Sequence, residues 1–263
     1  AGQAEANVRQ ASAVEREWLP AEQFSTRVEV EFDEATSRVS ARRRVRFLDL
    51  LLDESPAPLP NDEETAEVLA RAASERLDRV LPADDSEAGK FMLRWRCLRQ
   101  WMPELELPEL SDDRLLAALK WLAVGCRSLE DLRRADWISA LGSLLEPKQR
   151  QALDREAPQR LQVPSGSWMQ LTYELGRPPV LAVRIQEVFG LRDTPRIAGG
   201  RVRVLLHLLG PNYRPQQVTD DLLSFWTNAY PIVRKELKRR YPKHAWPEDP
   251  WTASPERKGK STK

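Results

Sequence analysis

The sequence predicts an α+β fold, and three observations along the chain predict it. Residues 27–47 alternate apolar with charged side chains, and residues 64–122 repeat apolar side chains at three- and four-residue spacing. Residues 161–209 return to short strand-like runs, and a long terminal helix follows them. With 41% hydrophobic and 31% charged residues, a chain of 263 residues can build a core and keep a wetted surface.

The first region, 1–60, reads as β-rich, with strand character over 7–52. Val28, Val30 and Phe32 alternate with Arg27, Glu29 and Glu31. A turn at Asp33 to Ser37 leads to a second strand whose Val39, Ala41, Val45 and Phe47 share one face, opposite Arg38, Arg42, Arg44 and Arg46. This is a hairpin with a basic outer surface. Two or three strands do not hold themselves in water, so a neighbour or further N-terminal sequence is expected.

Pro56, Pro58 and Pro60 mark the change to a helical region over 61–160. Ala66, Leu69, Ala73, Leu77 and Val80 recur at helical spacing between Glu64 and Leu81, and Phe91, Trp95, Leu98 and Met102 form the stripe of the next helix. Ser111 with Asp112 and Asp113 marks a helix start, where acid meets the positive end of the dipole, and Leu115, Leu119 and Leu122 form its buried edge. Ser128 and Asp131 have the spacing of a capping box, and Pro147 suits the first position of another helix.

The third region, 161–250, begins with a hairpin: Leu161 to Val163, a turn at Pro164 to Ser167, then Trp168 to Tyr173. A helix is expected from Pro179 to Phe189, stopped by Gly190, and a central strand from Val202 to Leu209 after the Gly199-Gly200 turn. The final helix starts at Thr219 and keeps Leu222, Trp226, Ala229, Val233 and Leu237 on one face, with a kink or break at Pro231. Trp95, Trp121, Trp137 and Trp226 read as core anchors, and Trp246 and Trp251 as pins for the C-terminal segment. The tail, 251–263, is expected to be disordered.

Composition excludes several chemistries. Net charge is only +1, so attraction to nucleic acid must come from local clusters. The two cysteines, Cys97 and Cys126, lack metal-ligand spacing and read as reduced cytoplasmic thiols. No apolar run reaches the length of a membrane span, and residues 1–10 carry no export signal. His207 and His244 are the only histidines and have no triad or metal pattern around them. Gly259-Lys260-Ser261 lacks the upstream glycine of a phosphate-binding loop, and Asp33-Glu34 belongs to a turn rather than to the end of a buried strand. No catalytic residue, cofactor site or metal site is therefore expected.

Two basic clusters remain as candidate nucleic-acid contacts. Arg42, Arg44 and Arg46 project from one side of a strand about 7 Å apart, close to the phosphate repeat of an extended nucleic acid. The competing reading pairs them with Glu29 and Glu31 across the hairpin. Arg234, Lys235, Lys238, Arg239, Arg240 and Lys243 are denser, interrupted only by Glu236, which can pair with Arg240. RNA phosphate, an acidic protein surface and a plain solvated helix all fit this second cluster.

The terminal block joins Phe225 and Trp226, Tyr230 and Pro231, Tyr241 and Pro242, and Trp246, Pro247 and Pro250 around that basic run. It resembles the C-terminal end of HrpB-type helicases of the DEAH/RHA group. Residues 165–191 and 194–209 are similar to the preceding block of that family. The resemblance implies that the hairpin is the end of an oligonucleotide-binding-type barrel, present here in part, and that the chain is an accessory region of an ATP-dependent RNA helicase. ATP and magnesium would then sit in the helicase core. The implied partners are RNA, as a single strand, and that core in cis or in trans, in a bacterial cytoplasm. The alternative is a standalone, non-catalytic module that grips a protein with its basic terminal helix.

Overall fold

The computed structural model describes residues 12–60 and 62–257. Three strands come first: β1 (Phe24–Asp33), β2 (Arg38–Phe47) and β3 (Leu50–Ala57). The helices α1 (Asp62–Ser74), α2 (Leu77–Val80), α3 (Glu87–Trp101), α4 (Asp112–Leu122), α5 (Leu129–Arg134), α6 (Trp137–Gly142) and α7 (Pro147–Glu156) follow. Next are β4 (Arg160–Gln162), β5 (Trp168–Thr172), β6 (Val180–Arg184), β7 (Arg196–Ile197), β8 (Val202–Arg203), β9 (Leu205–Leu209) and β10 (Pro215–Thr219). A short α8 (Leu222–Ser224), a π-helical turn at Phe225–Ala229 and α9 (Tyr230–Arg240) complete the regular structure.

The fold is α+β, as the sequence predicts, but its helical region is divided. One compact unit takes in the chain through Val80 with Leu119–Ala135, and the other takes Leu81–Ala118 with Asp136 onward.

In the first unit β1, β2 and β3 form an antiparallel meander. The sheet is open, in keeping with the partial barrel expected of this region. Its third strand reaches Ala57, and Pro56 lies within it, which an edge strand tolerates because one side needs no donor. Helix α1 covers the hairpin with Leu69 and Ala73, and Val39 and Ala41 are buried beneath it. The turn is tied down by Val39 N–H donating to Arg127 O at 2.9 Å and Leu129 N–H donating to Ser37 O at 3.1 Å. Ser128 caps α5 by accepting from Asp131 N–H at 3.1 Å, while the Asp131 carboxylate accepts from Arg127 N–H at 3.1 Å.

In the second unit α3 buries Phe91, Trp95 and Leu98, and Pro147 opens α7 behind a Glu146–Gln149 capping box. The five-stranded sheet has the order β10-β9-β6-β5-β4, with β6 and β9 parallel. The segment expected to be a helix from Pro179 to Phe189 is instead the central strand β6 and a 3-10 turn. Leu181 and Val183 are completely buried, and pairing to β5 on one side and β9 on the other overrides the helical reading. The strand expected over Val202–Leu209 breaks at Val204: β8 pairs with β7, and β9 enters the sheet.

The terminal helix begins at Leu222, because Thr219 ends β10 and Asp221 supplies the cap to Ser224 N–H at 2.9 Å. At Pro231 the helix does not stop. The preceding turn widens to π geometry, with Tyr230 N–H donating to Phe225 O. A proline has no N–H and crowds the carbonyl four residues back, and the wider turn accommodates both effects. Residues 251–257, expected as disordered tail, return to the unit: Glu256 N–H donates to Gln186 O at 2.9 Å, and Arg257 Nε to Ser165 O at 3.0 Å.

Candidate nucleic-acid interface

The arginines of β2 do share a face, and that face is already occupied by carboxylates. The register sets Arg42 opposite Glu29 and Arg44 opposite Glu54 of β3. Arg44 bonds Glu54 Oε2 through Nε at 2.8 Å and pairs with both Glu29 and Glu31 through Nη1. Its side chain is only 17% exposed. Arg42 meets Glu54 Oε1 at 2.6 Å, and Arg46 lies 3.7 Å from Glu29. The bonds from Arg44 hold the Glu54 carboxyl below the usual carboxylate range, and those from Glu54, Glu31 and Glu29 raise Arg44 further above neutrality. The glutamates Glu29 and Glu31 follow from the hairpin pattern. Glu54 does not, because it lies on β3, a strand beyond the predicted hairpin.

The terminal cluster is different. Trp226 and Tyr230 pack on Phe189, and Phe225 packs on both of them. Trp226 Nε1 donates to Leu191 O at 2.9 Å, and Tyr230 Oη to Pro247 O at 3.0 Å. Burial raises the Tyr230 hydroxyl far above its ordinary value. Trp246 is buried and donates to Tyr241 O at 2.9 Å, while Gly190 N–H donates to Pro250 O at 2.8 Å. Pro231 and Pro242 are exposed, and Tyr241 and Pro247 half-buried. The aromatic and proline motif therefore folds the C-terminal segment back along α9.

Arg234 belongs to that clamp and not to the open surface. Its Nε donates to Trp246 O at 2.9 Å and its Nη2 to Glu248 at 2.8 Å. Lys235, Lys238, Arg239, Arg240 and Lys243 are exposed, and among the described residues none of them has an ion-pair partner. The expected Glu236–Arg240 pair does not form. Lys235, Lys238 and Arg239 stand three and four residues apart, so they share one edge of α9.

The other sequence features take structural positions. Asp33 accepts from Ala35 N–H at 2.9 Å and Thr36 Oγ1 at 2.8 Å, an Asx-type turn that lowers its carboxyl through the Thr36 bond first. His207 is half-buried in β9, and the His244 ring lies edge-on to Tyr241. Gly259-Lys260-Ser261 falls outside the described residues. Burial pushes the free Cys97 thiol up to about 11. Among the described residues no group of His, Cys, Asp and Glu could hold a metal ion, and no helix is long and apolar enough to cross a membrane. Trp121, expected in the core, is 60% exposed because Leu115, Leu119 and Leu122 occupy the opposite side of α4.

Comparison with known proteins places residues 119–250 in a match to the family described as ATP-dependent helicase C-terminal, HrpB type. The ATP-dependent RNA helicase HrpB of Escherichia coli K12 is 40% identical over 235 residues, covering 88% of this chain and 29% of that protein. The crystal structure of the E. coli DExH-box NTPase HrpB aligns with a TM-score of 0.72 at 38% identity, over 89% of this chain and 29% of that one. A second crystal structure, of the E. coli DEAH/RHA helicase HrpB, gives 0.63 at 38% identity over 85% and 29%. The chain thus spans less than a third of the length of the relatives it matches.

Proposed function

The chain belongs to the HrpB-type ATP-dependent helicase C-terminal family, and on that premise we propose that it contacts single-stranded RNA as an accessory region of such a helicase. One observation carries this reading: five exposed cations on and after α9 have no partner among the described residues, and a buried aromatic clamp holds their helix. Unpaired lysines and arginines on a fixed element suit a phosphate backbone, which they bind by displacing counterions. The β2 arginines play a smaller part, since Glu29, Glu31 and Glu54 already neutralise them.

In this reading ATP and magnesium belong to the helicase core. That core is the partner in cis or in trans, the chain adjusts its turnover, and the setting is cytoplasmic. A second reading, contact with protein, is favoured at one place. Leu48, Leu50, Leu51 and Leu52 are all more than 40% exposed on the three-stranded sheet, a patch suited to a protein neighbour.

Fluorescence anisotropy with a labelled single-stranded oligoribonucleotide tests the RNA reading. Affinity should fall as salt rises, with a log–log slope of about −0.7 per phosphate neutralised. Affinity that ignores salt, or no binding at low salt, defeats it.

A further inference from the structure

Strands β7 and β8 form a two-stranded ribbon in which Arg196 pairs directly against Arg203 and Ile197 against Val202. Ile197 is buried and Val202 half-buried, so alternation turns both arginines outward, and both are exposed. Directly opposed positions bring Cβ atoms within about 5 Å, and like charges placed there are destabilising. Neither arginine has an ion-pair partner among the described residues. Arg196 Nη1 donates to Gly200 O at 3.2 Å, while its other nitrogens and those of Arg203 make no hydrogen bond to a described residue.

The ribbon cannot splay to separate the two charges, because it is tied at both ends. Its turn runs through Ala198, Gly199 and Gly200, with φ of 52°, 62° and 85°. Gly199 N–H donates to Glu156 Oε2 at 2.7 Å, and Ala198 N–H to Glu156 O at 2.9 Å. Arg155 Nε donates to the other Glu156 oxygen at 2.7 Å, and Arg201 pairs with Glu104 at 2.6 Å. The carboxylates of Glu104 and Glu156 are thus already engaged. At the open end Val204 N–H donates to Pro195 O at 2.9 Å. Thr194 Oγ1 donates to Asp220 O at 2.8 Å and accepts from Leu222 N–H at 2.9 Å, which fastens the ribbon to the start of α8. The backbone therefore keeps the two arginines opposed, with their repulsion unanswered.

We propose that Arg196 and Arg203 together hold one phosphate of a nucleic-acid backbone, a contact that rests on the single-stranded RNA reading above and adds to it a site on a separate element from α9. A phosphodiester offers one free oxygen to each guanidinium and neutralises the charge between them. A protein carboxylate holds both oxygens in one plane, fills a single guanidinium fork and leaves the second open. A phosphate contact of this kind positions the strand without reading its bases.

Arg203→Glu in the whole chain tests the site, because it replaces a cross-strand repulsion with an attraction to Arg196. The melting temperature should hold or rise. Anisotropy with a labelled oligouridylate should show affinity lower by about fivefold or more, with the salt slope flattened by about 0.7. Arg196→Gln and Arg203→Gln should each lose nearly as much as the two together, since one phosphate needs both forks, whereas charges acting singly would give losses that add. Proton–nitrogen spectra of the arginine Nε–H groups, titrated with sodium pyrophosphate, give a readout without RNA. Arg196 and Arg203 should shift along one saturable curve, and a hexaglutamate peptide should leave them unmoved. Undiminished RNA affinity in a folded Arg203→Glu chain, additive losses, no shift with pyrophosphate, or an equal shift with hexaglutamate overturns the proposal and leaves the α9 reading standing. Failure of the parent chain to bind RNA at low salt defeats the RNA reading and, with it, RNA as the source of the phosphate. The pyrophosphate titration then still decides whether the arginine pair is a phosphate site.

Discussion

The two basic regions look alike as sequence and differ as surfaces. The arginines of β2 sit in a sheet whose flanking strands bring Glu29, Glu31 and Glu54 to the same face, so their charge is satisfied internally. The remaining cations of α9, Arg234 aside, stand on a helix whose own carboxylate, Glu236, does not pair with them. In a sheet the register decides which charges meet. On a helix the partner must lie three or four residues away, and here that spacing is filled mainly by like charge. A density of arginine therefore says little about availability until the neighbouring strand is known.

The contrast can be broken or sharpened in several ways. The largest effect is expected from Trp226→Ala, which removes a buried indole from the cluster beneath α9. It should cost about 3–5 kcal/mol in urea denaturation and carry RNA affinity down with it. Stability loss with unchanged affinity would detach the clamp from the basic edge.

Next is joint replacement of Lys235, Lys238, Arg239, Arg240 and Lys243 by glutamate. Anisotropy should show a loss of tenfold or more, with a salt slope flattened by about 0.7 for each lost phosphate, and no change in melting temperature. Arg44→Glu acts on the other side of the comparison. It would set a fourth carboxylate among Glu29, Glu31 and Glu54, so the first unit should melt earlier, and any loss of RNA binding should follow the loss of fold. Normal melting with lost RNA binding would restore the hairpin as a direct contact.

Acid gives a smaller effect with a defined direction. Glu54 has a folded carboxyl below its ordinary 4.5, so its bonds stabilise the sheet above about that pH and are lost as pH falls through the lower folded value. Glu54→Gln should remove this part of the acid transition, as followed by circular dichroism. Smallest of all, Arg42→Gln with Arg46→Gln should change RNA affinity less than threefold, since both side chains are already paired.

Much of this was readable from spacing. The hairpin, its turn at Asp33, the caps at Ser128 and Pro147 and the stripe of Phe91, Trp95 and Leu98 all follow from local rules, and local bonds make them. Most of the misreadings have their cause in distant partners. The apolar run of 180–183 is too short to declare its period, and two flanking strands decide it. Trp121 fits a helical stripe by residue type but lies on the exposed side of α4. Arg234 counted as one more cation until Trp246 O and Glu248 came within reach through the returning C-terminal segment. Arg94 carries no local signal: its partners lie about sixty positions away in sequence.

The π turn before Pro231 also sets the rotational phase of α9. One extra residue in a helical turn rotates everything after it by about 100° around the axis. The compass bearing of Lys235, Lys238 and Arg239 is thus fixed upstream of any of them, at Phe225–Ala229. Deleting one residue from that turn would swing the whole charged edge to another heading with every cation intact.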